Sequence, residues 1–86
     1  MPQISSFYGI LIFVYYNDHN PPHFHAEYNE FEMLVTISNL SIYKGSLPPK
    51  AFALVMEWAI QHKEELQNAW DMVSSGMKPN KILPLM

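Results

Sequence analysis

His23–Ser38, HFHAEYNEFEMLVTIS, is the stretch that decides the fold. From Phe31 onward apolar residues fall on every second position: Met33, Val35 and Ile37 share one side, and Glu32, Leu34 and Thr36 the other. Side chains alternate across a strand, so this is a strand with one face turned to a core. His23–Tyr28 reads the same way, with Phe24, Ala26 and Tyr28 on the core side and His23, His25 and Glu27 opposite. Asn29-Glu30 joins the two segments, and asparagine tolerates the positive φ that a tight hairpin turn demands. The nucleus of the fold is therefore an antiparallel hairpin.

Working outward, Ser6–Tyr16 is rich in Ile, Val, Phe and Tyr, with Ile10, Ile12 and Val14 on one side and Leu11, Phe13 and Tyr15 on the other. A strand that is apolar on both sides is covered twice or lies in an interface. Asn17–Pro22 is a loop. Ser38-Asn39 turns the chain into a further strand, Leu40–Lys44. From Lys50 the period changes: Phe52, Val55, Ala59, Leu66, Trp70 and Val73 keep a three-four spacing, with His62 in the same stripe. Ser46 or Pro48 lies just before the helix, where a proline in the first turn is well tolerated, and Gly76 with Pro79 suits its end. A helix this long invites a kink near His62-Lys63. The expectation is one α+β domain over residues 1–86: a four-stranded antiparallel meander between residues 6 and 46, one long helix at 49–75 packed on one sheet face, and an apolar tail at 79–86 that docks on the sheet or on a partner.

Composition narrows the function. A chain of 86 residues with 49% apolar content carries more apolar surface than a thin core needs. That favours a homo-oligomer or a small protein partner. The absence of cysteine rules out disulfides and thiolate zinc sites and fits a reducing cytoplasm. The apolar run Tyr8–Tyr16 is too short to span a bilayer, which takes about 20 residues, and no basic residue precedes it to make a signal peptide. Residues 1–43 hold Asp18, Glu27, Glu30 and Glu32 with no Lys or Arg, a charge of −4, and the chain has no arginine at all. Nucleic-acid binding is disfavoured, because phosphate grips need clustered cations. This half attracts cations instead.

The chemistry concentrates in residues 18–28, DHNPPHFHAEY. Pro21-Pro22 makes a stiff corner before the strand. His23 and His25 then point from one face, as a His-x-His strand does when it offers two nitrogens to one metal. His19 or Asp18 can close the site, and Asp18 or Glu27 can orient it. The metal ligands expected are His19, His23, His25 and Glu27, with zinc or nickel as the ion. As acid/base candidates, His23, His25 and Asp18 suit a ribonuclease, since RNA supplies its own 2′-hydroxyl nucleophile. The competing structural reading is that these histidines only bond backbone carbonyls beside the turn. There is no G-x-S-x-G motif for a serine nucleophile. Trp58 and Trp70 read as core or a dimer seam, and Glu64-Glu65 as a solvated helix face.

Several stretches together carry a family resemblance: Ile4-Ser5-Ser6-Phe7-Tyr8-Gly9-Ile10, Tyr16-Asn17-Asp18-His19 with Pro21-Pro22-His23-Phe24-His25-Ala26, Gly45-Ser46-Leu47-Pro48, Glu57-Trp58, and Glu65-Leu66 with Trp70. The chain resembles the bacterial domain of unknown function 4160 family over nearly its whole length. It departs at Asn29, where a turn glycine is expected, and in carrying lysines where arginines are usual near the helix start. The resemblance implies a small cytosolic bacterial protein, often encoded beside a second small domain, and hence an interaction module in a toxin–antitoxin-like or regulatory pair. The alternative is a small histidine- or metal-dependent ribonuclease of the toxin type.

Overall fold

The structure, a computed structural model, describes residues 2–86. Met1, the first residue of the expected domain, lies outside the described residues. Five strands run in order as one antiparallel sheet: β1 (Gln3–Phe7), β2 (Ile10–Phe13), β3 (His23–Tyr28), β4 (Phe31–Thr36) and β5 (Ile42–Gly45). Two helices follow, α1 (Pro49–Gln61) and α2 (Lys63–Ser74). The class is α+β with an antiparallel meander. The number of elements differs from the expectation of four strands and one helix, for two local reasons.

The first is at Tyr8-Gly9. Their φ angles are 51° and 80°, and two successive positive φ values are what a two-residue hairpin of type I′ requires. The chain reverses there, so that Phe7 pairs with Ile10. The strand expected over Ser6–Tyr16 is thus a hairpin, and apolar character runs straight through its turn. The second is at His62, whose φ of −125° and ψ of 25° interrupt the helix. Its amide donates back to the Ala59 carbonyl at 3.1 Å, and its own carbonyl accepts from the Leu66 amide at 2.9 Å. The apolar stripe survives the break. Ala51, Val55, Trp58 and Ala59 of α1 are buried, as are Leu66, Ala69, Trp70 and Val73 of α2. Glu64 and Glu65 occupy the first turn of α2, where carboxylates suit the helix dipole.

The central hairpin forms as its alternation requires. Asn29 adopts φ 53°, and the register pairs Tyr28 with Phe31, Glu27 with Glu32, His25 with Leu34 and His23 with Thr36. Phe24, Ala26, Met33 and Val35 are fully buried beside Ile4, Ile10, Ile12 and Trp58. Trp58 meets Phe24 edge-on at 5.9 Å and Phe7 at 5.3 Å, so α1 covers this face. The tail docks on the same assembly: the Ile82 amide donates to the Ile4 carbonyl at 2.7 Å, and the Trp58 indole donates to the Leu83 carbonyl at 2.8 Å. β5 is seated tightly. Gly45 has φ 78°, and a Cβ there would come within 2.2 Å of the Glu32 carbonyl oxygen, so only glycine fits. Among the described residues no helix is long and apolar enough to cross a membrane.

A candidate metal centre on the open sheet face

The other face of the sheet carries the chemistry. Directly paired residues share a face, so the register lays out cross-strand rows: Leu11, Glu27 and Glu32 in one, and Phe13, His25, Leu34 and Lys44 in the next. Between β2 and β3 the chain loops over this face. It turns at Tyr16-Asn17, with Asn17 at φ 60°, and re-enters the sheet through a cis Asn20–Pro21 bond. The Pro22 carbonyl accepts the Ile37 amide at 3.0 Å and so ties the corner to the end of β4.

That loop delivers Asp18 to the two histidines of β3. Asp18 Oδ2 lies 3.1 Å from His23 Nε2 and 3.0 Å from His25 Nε2. Its other oxygen accepts the His19 amide at 2.9 Å. The far nitrogen of each ring is also engaged: His23 Nδ1 donates to the Pro21 carbonyl at 2.8 Å, and His25 Nδ1 lies 3.2 Å from Glu32 Oε2. His23 is 2% exposed, His25 13% and Asp18 19%. Trp70 of α2 packs 5.2 Å from the His23 ring, and Tyr43 of β5 packs at 5.5 Å. Tyr15 stands edge-on to His25 at 4.4 Å. Both imidazoles are therefore held in place by aromatic packing.

Tautomer logic shows what the arrangement lacks. A carbonyl only accepts, so His23 carries its proton on Nδ1. In the neutral ring the Nε2 lone pair then faces Asp18 Oδ2, which also only accepts. A second ring proton or a cation shared among the three groups removes that conflict. An imidazole that ligates through Nε2 while its Nδ1–H bonds a carbonyl or carboxylate is the usual outer-shell arrangement of a metal-binding histidine, and each ring has an acceptor beside its Nδ1. The spacing fits too. Donors on a tetrahedral zinc ion stand about 3.3 Å apart, and the Asp18, His23 and His25 donor atoms all lie within 4.8 Å of one another.

The charges respond accordingly. Burial alone would raise the Asp18 carboxyl. The hydrogen bond from His25, that from the His19 amide and the neighbouring imidazoles outweigh it and hold the group below its ordinary 3.8. Burial pushes the Tyr15 phenol above its ordinary 10.0, and the charge on Glu27, then Glu32, pushes it further.

Of the residues singled out from the sequence, Asp18, His23 and His25 come together. His19 and Glu27 stand outside this cluster of donors. The His19 amide braces Asp18, while its ring joins the lining of an adjacent depression. Glu27 faces the Tyr15 hydroxyl across a long 3.5 Å contact. Four contributors were missed: Glu32, Tyr43, Lys44 and Trp70. Glu32 was within reach, because a turn at Asn29-Glu30 places it opposite Glu27 and diagonal to His25. The others arrive from elements whose placement no local pattern reveals.

Residues 9–71 match the family described as a domain of unknown function (DUF4160). The chain belongs to that family. The DUF4160 match runs from the β1–β2 turn into α2 and includes Asp18, His23, His25, Glu32, Tyr43, Lys44 and Trp70. Comparison with curated proteins and with solved structures gives no match.

Proposed function

We propose that this protein is a small metal-binding interaction module. Asp18, His23 and His25 hold one divalent ion, zinc or nickel, and the open sheet face meets a second copy or a small partner protein. The observation that carries the metal is the convergence of two Nε2 atoms on one Asp18 oxygen while each Nδ1 is engaged elsewhere. Histidines that merely shielded a turn would not need both nitrogens committed. Support for the partner comes from Leu11 and Tyr43, both exposed on that face. A cytoplasmic two-gene pair of regulatory or toxin–antitoxin type is the setting this reading favours.

Calorimetry with zinc tests the site. Imidazole must shed its proton to ligate a metal, so binding is expected at pH 7.5, weaker binding at pH 5.5, and none in His25→Ala. Absence of heat at both pH values would end the metal reading. One observation favours a second function, a ribonuclease of the toxin type: Lys44 brings a cation beside His19 and His23. Growth arrest on expression, relieved by changing His23 and His25 to alanine, would establish that reading over the module.

A further inference from the structure

Beside the metal centre is an open depression of about 450 Å³ lined by Asp18, His19, His23, Leu34, Tyr43 and Lys44. Two of the three metal donors form its wall, so it is where solvent reaches them. Lys44 is the sole Lys or Arg in the first 49 residues, yet it stands in a field of carboxylates without an ion-pair partner among the described residues. The nearest acid in the register, Glu32, is turned to His25 instead. Lys44 pairs with Leu34, which pairs with His25, so lysine and histidine share a face two strands apart. Their backbones are then about 10 Å apart, within reach of a lysine stem and a small ligand between them. Gly45, beside Lys44, lies close against the Glu32 carbonyl. Tyr43 closes the wall with its ring on His23.

We propose that this depression is an anion subsite, where a small oxyanion, carboxylate or phosphate, bonds the metal and pairs with Lys44. The inference rests on the metal reading above. Three protein donors leave a tetrahedral ion one further position, and a divalent ion on a single carboxylate keeps a net positive charge. With Lys44 the subsite presents two cationic centres to one ligand. A polymer such as RNA would need a row of cations along its backbone, and the face offers one, so the ligand is small.

Cobalt(II) serves as the probe, because its visible spectrum reports a change of ligand. Full-length protein loaded with cobalt is titrated separately with sodium acetate and with inorganic phosphate, and metal content is measured on the same samples. A saturable spectral change is expected with at least one, and the responding anion names the ligand class. Lys44→Gln should weaken that anion about fivefold, as loss of one exposed ion pair does, while cobalt affinity stays unchanged. Lys44→Arg should restore it. Cobalt bound with a spectrum indifferent to both anions, or a Lys44→Gln protein that binds the anion as the wild type does, would overturn the subsite and leave the metal centre standing. Failure to bind cobalt would remove both.

Discussion

The two faces of this sheet are made by the same strands and have opposite properties. On the covered face, Phe24, Ala26, Met33 and Val35 are fully buried and carry no polar group. On the open face, Glu27 and Glu32 carry charge, and these two together with His25 and Leu34 stay at least partly accessible. One residue of displacement along β3 separates stability from chemistry. Because side chains alternate, a short strand can be anchored by one set and leave the other free to be costly: two carboxylates opposite each other, and a histidine lone pair aimed at an oxygen. A domain of this size has little surface left for function, and alternation lets one sheet serve both purposes.

Adjacent substitutions on β3 test that contrast most severely. Phe24→Ala removes a buried ring from beneath Trp58 and should destabilise the fold by about 3–5 kcal/mol. His25→Ala, one residue on, should stay within about 1 kcal/mol of the wild type. Chemical denaturation of metal-free protein measures both. Equal losses would mean that the open face is as structural as the covered one.

An intermediate effect belongs to Asp18, whose carboxyl is held below its ordinary value. The folded protein then binds this proton less readily than the unfolded chain. Asp18 stabilises the fold fully above pH 3.8, and that contribution drains away as pH falls from 3.8 through the lower folded value. In Asp18→Asn, melting temperature should fall less steeply over that window, read in chelator-treated samples. Parallel curves for the two proteins would show that the loop does not depend on this charge.

The smallest effect is a gain. Glu27 and Glu32 are directly opposed, and like charges in that position repel. Glu32 is about half exposed, so solvent screens the pair, and Glu27→Gln should stabilise by only a few tenths of a kcal/mol. The same change should let the Tyr15 phenol titrate nearer 10.0, because Glu27 is the largest charge acting on it after burial. An ultraviolet pH titration unaltered by the substitution would contradict that.

Much of this division was legible in the sequence. The alternation in residues 23–38 placed Phe24 inside and His23 and His25 opposite, and Asn29 marked the hairpin. What escaped has physical reasons. Tyr8 reverses the chain without any turn-forming chemistry of its own beyond the glycine beside it, so hydrophobicity concealed the hairpin. The helical spacing identified Trp70 as apolar-facing, but spacing along a helix does not say which strand it will cover. No local pattern in Leu40–Lys44 marks Lys44, because it meets His23 at one depression only across the sheet.

The docked tail has a consequence for assembly. Ile82 bonds β1 at one margin of the sheet, while β5 has no neighbour beyond it among the described residues. A sheet with one free margin could join one other by strand addition, and such a pair would have no free margin left. Deleting residues 81–86 would uncover the second margin, and sedimentation should then show particles heavier than a pair. Residues 81–86 thus set how far any such strand addition could extend.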